Sequence, residues 1–180
     1  WVRHHVAHAA SAFYPSPFEE AALLAVDAFG EKDCVLTATG RGTTLDVLAT
    51  QEFPHSLGSF YATMTELLGF KPYSEEWKVM GAAPYGDPGP FLETLRGCFD
   101  LRDDGGFELD LSFFNFFNFH RPLSYAPKLE QALGAELRHP IAFVLREPRV
   151  HPTREIVPRH LIREAVEHLL HHVHLGPRRI

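Results

Sequence analysis

Only two cysteines occur in the 180 residues, Cys34 and Cys98, too few for a disulfide framework, and a reducing cytoplasm suits them. Long apolar runs are also missing. No stretch reaches the length a membrane-crossing helix needs, and no basic leader with an apolar centre opens the chain. A basic excess is absent as well: 17 Lys and Arg stand against 23 Asp and Glu, a formal net charge of −6. That balance argues against a nucleic-acid partner, although a local basic pocket for phosphates stays compatible with it. An initiating Met is lacking, and Trp1 runs directly into a helix-forming stretch, which reads as a piece of a longer polypeptide. What remains is ordinary for a globular protein, with 45% hydrophobic and 22% charged residues. The length suits one domain or part of a larger one.

Histidine, by contrast, is plentiful, and three of the 12 fall in the opening run, Val2-Arg3-His4-His5-Val6-Ala7-His8-Ala9-Ala10-Ser11-Ala12-Phe13-Tyr14. Alanine favours helix here, and nothing before Pro15 interrupts it. Residues four apart share a helix face, so His4 and His8 point the same way. His5 is turned about 100° from His4. Two imidazoles at this spacing form a bidentate clamp like that of the HExxH zinc motif. His5 stands where that motif has its Glu, so the general base of a zinc protease is missing. A chance pair in a His-rich chain is the bland alternative.

The next informative segment is Glu19-Glu20-Ala21-Ala22-Leu23-Leu24-Ala25-Val26-Asp27-Ala28-Phe29-Gly30-Glu31. Its short apolar run, bounded by turn signals, predicts a buried strand with Asp27 at the carboxyl end, where α/β proteins place ligands. An ordinary strand-ending turn residue would look the same. Two His and one carboxylate suit a divalent transition metal with open positions, Fe(II) being favoured.

These segments, with Ser11-Ala12-Phe13-Tyr14-Pro15-Ser16-Pro17-Phe18 and Trp77-Lys78-Val79-Met80-Gly81-Ala82-Ala83-Pro84-Tyr85-Gly86, resemble the carbamoyltransferases of the NodU/CmcH type. The resemblance covers the first half of the chain closely and the second half loosely. It implies an α/β fold, an actin/Hsp70-like (ribonuclease H-like) ATPase lobe with a mixed sheet and flanking helices, here incomplete. Residues 1–18 would be the metal-binding helix closing the first lobe, and 19–180 most of the second lobe. The C-terminal domain that forms carbamoyl-adenylate would be absent. The resemblance also implies that His4, His8 and Asp27 bind a metal. It places Glu76, Lys78, Gly81 and Gly86 along a nucleotide-binding wall, near ribose or phosphate. Two positions depart from the family pattern: Ala28 and Ala82 stand where Gly and Leu are usual.

Elsewhere, residues 34–39 and 44–50 flank Gly40-Arg41-Gly42 and predict a hairpin. Ser56 predicts a cap for a helix to about Leu68, stopped by Gly69. Ser74 predicts a second cap, for a helix broken at Gly81. Asp103-Asp104-Gly105-Gly106 marks a turn between short strands. The aromatic run 111–120 reads as a buried layer under a loop rather than an acceptor pocket. His120 and Arg121 read as surface residues. An irregular connection over 141–158 then leads to a helix from Pro158. The His168/His172 pair on it reads as a solvated polar face.

The function implied is O-carbamoyl transfer from carbamoyl-adenylate, made from ATP and carbamoyl phosphate, to a hydroxyl of a small-molecule or natural-product acceptor. The 180 residues alone would be inert, because they need the missing remainder of the polypeptide. Alternatives are a hydrogenase-maturation or tRNA threonylcarbamoyl-type transferase, or a non-enzymatic metal-binding interaction module.

Overall fold

In a computed structural model, residues 1–134 are described, and the chain divides into two compact units, Trp1–Ala62 and Thr63–Ile180. The first unit is a helix on a three-stranded meander. Helix α1 (His4–Phe13) precedes strands β1 (Glu20–Gly30), β2 (Asp33–Arg41) and β3 (Thr44–Glu52), paired antiparallel in the order β1-β2-β3. Alternation explains which side of the sheet is covered. Leu23 and Ala25 lie opposite Ala38 and Leu36, and α1 packs there through Ala9 and Val6.

Along α1, His5, Ala9 and Phe13 are buried, one turn apart, as a helix lying on a sheet requires. They meet β2 in sequence. His5 lies by the backbone of Cys34, Ala9 joins Leu36 and Ala38, and the Phe13 ring covers Gly40. A Cβ at Gly40 would stand 2.7 Å from that ring. The predicted turn is therefore displaced: Gly40 is inside β2, kept small for the ring above it, and the chain reverses at Gly42, whose φ is +55°.

The strand carrying Asp27 also differs from expectation. It runs on to Gly30 rather than ending at the carboxylate. Pairing with β2 is regular to Val26↔Val35, then slips and resumes at Gly30↔Asp33. Asp27 sits in that bulge, and a bulge re-aims a side chain.

Helix α2 (Leu57–Leu67) follows, with Gly69 at φ +83° behind it. In the second unit, α3 (Glu76–Ala82) starts from Glu75, with no side-chain cap, so Ser74 does not have its predicted role. Tyr73 at φ +57° turns the chain before it, and its N–H donates to the Glu76 carboxylate. Gly81 does not break the helix, which continues to Ala82 and tightens into a 3-10 turn, Ala83–Tyr85. After α4 (Leu92–Arg96), β4 (Phe99–Leu101) and β5 (Phe107–Leu109) form the expected short hairpin. Phe113, Phe114 and Phe116 are buried as an aromatic layer beside α5 (Pro127–Leu133), whereas Phe119 is exposed. Lys128 lies 3.8 Å from the Phe113 ring centre, a cation–π contact. The readings for 141–158, for the helix from Pro158 and for His168/His172 fall outside the described residues. Among the described residues no helix is long and apolar enough to cross a membrane.

Two outcomes follow from this packing. Leu36 is fully buried between α1 and the sheet, so Leu36→Ala should cost about 3 kcal/mol, read from urea unfolding. Burial pushes the thiols of Cys34 and Cys98 up to about 11 each, and neither has exposed surface. Both should resist an aromatic disulfide reagent at pH 8 until denaturant is added, because the thiolate is the reactive form.

Candidate metal centre

The same helix face arithmetic that buries His5 leaves His4 and His8 at the rim of α1. Arg3, just before the helix, is ion-paired with the buried Asp33 carboxylate at the start of β2. Glu31, in the β1–β2 turn at φ +51°, accepts the His4 N–H at 3.1 Å. A carboxylate there satisfies one of the free donors of the helix N-terminus. Gly30 completes the seating. A Cβ on it would stand 2.3 Å from the His4 ring, so only glycine leaves the imidazole its place.

Three donor atoms converge as a result. His4 Nε2 is 2.8 Å from Asp27 Oδ2, His8 Nε2 is 3.3 Å from the same oxygen, and the two Nε2 atoms are 3.0 Å apart. Asp27 Oδ1 accepts the N–H of Ala28 at 2.7 Å, which fixes the other half of the carboxylate. Burial alone would raise the Asp27 carboxyl. Its hydrogen bonds to His4 and to the Ala28 N–H, with the nearby imidazoles, outweigh burial and hold it below the usual carboxylate range.

Hydrogen bonding cannot satisfy this triangle. A neutral imidazole offers one proton, and a carboxylate offers none. If both Nε2 atoms donate to Asp27, their N–H groups confront each other across 3.0 Å. One cation bonded to all three atoms removes the conflict. Metal–ligand bonds of about 2.1 Å at right angles or tetrahedral angles separate neighbouring donors by roughly 3.0 to 3.4 Å. The observed 2.8, 3.0 and 3.3 Å are close to that span. The residues present thus fit a divalent ion bound on one face, and His4, His8 and Asp27 could hold it. Their side chains are 40%, 52% and 37% exposed, so the opposite face is open for further ligands. Beside His8, an open groove of about 340 Å³ runs between α1 and β1, past Ala12, Leu23 and Val26.

His5 takes no part. The residue is 1% exposed beside the Cys34 backbone, neither ring nitrogen makes a well-formed hydrogen bond, and burial followed by the adjacent His4 lowers its pKa.

The residues assigned to nucleotide belong to the second unit. Glu76 opens α3 and holds the Tyr73 N–H, while the Lys78 ammonium pairs with Glu75 and lies 5.6 Å from the Trp77 ring centre. Gly81 has open space where a Cβ would be, and Gly86 is extended. Neither glycine is required by its backbone, so the sequence argument from small residues is not reinforced there.

Gly30 was not read from sequence as part of the site. Its signal, a glycine three residues after the carboxylate, resembles any strand-ending turn until His4 is seen above it.

The carbamoyltransferase N-terminus family matches residues 1–126. An uncharacterized protein of Synechocystis sp. is 46% identical over 113 residues, 63% of this chain and 18% of that protein. Nodulation protein NolNO of Sinorhizobium fredii is 40% identical over 111 residues, 62% of this chain and 16% of that protein. Nodulation protein NolO of Bradyrhizobium diazoefficiens is 39% identical over 110 residues, 61% of this chain and 20% of that protein. The chain therefore spans a fifth or less of the length of these three relatives. With a match over residues 1–126, most of its length, the chain belongs to the carbamoyltransferase N-terminus family.

Proposed function

We propose that the chain carries the metal-binding part of an O-carbamoyltransferase. The donor is carbamoyl-adenylate, made from ATP and carbamoyl phosphate, and the acceptor is a hydroxyl of a small-molecule natural product. The convergence of His4, His8 and Asp27 within a chain of this family carries the reading. On the same reading, the helix-covered meander is part of an actin/Hsp70-like ATPase lobe, the metal is Fe(II), and the protein works in the cytoplasm with the rest of its polypeptide.

When bound, a divalent ion supplies Lewis-acid polarisation of the carbamoyl oxygen. This chain's residues hold the site. Asp27 brings the negative charge, the Ala28 N–H fixes its second oxygen, and Gly30 gives His4 its place. The acceptor hydroxyl oxygen bonds to the carbamoyl carbon and gives up its proton to solvent, while the bond from that carbon to the adenylate phosphate oxygen breaks and AMP leaves. Glu76 suits the ribose hydroxyls, and Lys78 suits phosphate as a point charge. Lys78 now pairs with Glu75, so an incoming phosphate shares or replaces that partner.

Two measurements test the proposal. By calorimetry, His4→Ala and Asp27→Asn should each weaken divalent-metal binding by at least the roughly 10- to 100-fold that loss of an outer-shell partner costs. Carbamoyl transfer by the intact protein, supplied with ATP, carbamoyl phosphate and a hydroxyl acceptor, should fall to background in both variants. Metal affinity unchanged in both would remove the basis of the reading. Separately, Lys78→Ala should weaken ATP binding while thermal unfolding stays nearly unchanged, because the side chain is 35% exposed and its ion pair is local. Wild-type ATP affinity in that variant would return α3 to a plain surface helix.

A further inference from the structure

Resting on the metal-centre reading above, we infer that Ser56 and Gly58 are positioning residues for the Asp27 carboxylate, acting through the backbone that carries it. The need for them arises in the bulge. Between Val26↔Val35 and Gly30↔Asp33, residues 27, 28 and 29 of β1 oppose only Cys34 of β2. The regular ladder contacts that orient a strand are therefore interrupted at the residue that supplies the ligand.

Ser56 takes their place. It is fully buried, and its hydroxyl donates to the carbonyl oxygen of Ala28 at 2.5 Å, with the carbonyl of Asp27 at 3.3 Å as a second acceptor. The same oxygen accepts the N–H of Ser59 at 3.0 Å, capping α2. One hydroxyl has one proton and two lone pairs, so it can do both at once. The tie is long-range, joining residues 28 apart in sequence.

Gly58 lets the helix come close enough for that bond. A Cβ there would stand 2.5 Å from the Ala28 nitrogen, 2.7 Å from its Cα and 2.7 Å from the Asp27 carbonyl carbon. Every one of these atoms is backbone, so no side-chain rotation relieves the clash. The first turn of α2 thus presses directly on the Asp27–Ala28 peptide. Displacing that peptide swings the carboxylate away from His4 and His8.

The test is a Co(II) titration of the full chain, followed by the visible absorption of the bound ion, with far-UV circular dichroism as the folding control. Ser56→Ala and Gly58→Ala should each weaken Co(II) binding by about tenfold or more and change the spectrum, as loss of an outer-shell partner does. Ser56→Thr, which keeps the hydroxyl, should restore most of the affinity relative to Ser56→Val, which has the same shape without it. Should Ser56→Ala fail to fold, Gly58→Ala decides by the same readouts. It retains the hydroxyl, and Ala ordinarily strengthens a helix. Wild-type affinity and spectrum in Ser56→Ala and Gly58→Ala would overturn the positioning role and leave the metal reading standing. Equal binding by Ser56→Thr and Ser56→Val would overturn the role of the hydroxyl. No Co(II) binding by the unsubstituted chain would overturn both readings together.

Discussion

Close approach of α1 to the sheet is the constraint on which the first unit depends. Ala9, Ala25, Ala38 and the two glycines, Gly30 and Gly40, are the residues that permit it. Each offers little or no side chain where the helix lies. Larger residues would lift the helix and withdraw His4 and His8 from Asp27. The apolar contacts give the helix its attachment, and Phe13 contributes on the order of 2 kcal/mol by burial. The small residues decide how near the attachment is. Packing distance and site geometry are therefore one property here.

That arrangement also carries costs at the helix start. His5 is buried with neither ring nitrogen making a well-formed hydrogen bond, and Asp33 is buried with one oxygen unpaired. A buried polar group without a partner costs about 1–3 kcal/mol. Arg3 offsets part of this by pairing with the other Asp33 oxygen, and Glu31 by receiving the His4 N–H. These contacts keep the first turn of α1 in place, and His4 is its first residue. The ion pair and the carboxylate thus act at the turn that supplies the first metal ligand.

Sequence periodicity revealed the parts of this site that are local. A spacing of four puts His4 and His8 on one face, and the step of one turns His5 off that face, where the structure buries it. The meander was legible from alternation and glycine, although the turn lies two residues later than the first glycine suggested. What could not be read depends on contacts between distant segments. The bulge at Asp27 has no composition of its own, and the meaning of Gly30 lies in a ring 26 positions earlier. Ser56 was legible as a cap, because Ser59 is three residues away, but its bond to Ala28 was not. Ser74 shows the opposite failure. It had the composition of a cap, but Tyr73 turns the chain just before it, and the helix starts from Glu75.

The departure at Ala28 shows how a glycine should be judged in this fold. A glycine beside Asp27 would be required for its backbone only if the chain adopted a left-handed torsion there. Among the described residues, the non-glycine positions with positive φ are Glu31 and Tyr73, and Ala28 is not one of them. An L-residue is therefore accommodated without strain at position 28. The glycines that matter to the carboxylate are Gly30 and Gly58, whose missing Cβ atoms admit the His4 ring and the Asp27–Ala28 peptide. Their requirement is steric and lies across the fold. Alanine at 28 is consequently compatible with the three-donor geometry, whereas any side chain at 30 competes with the imidazole for the same space.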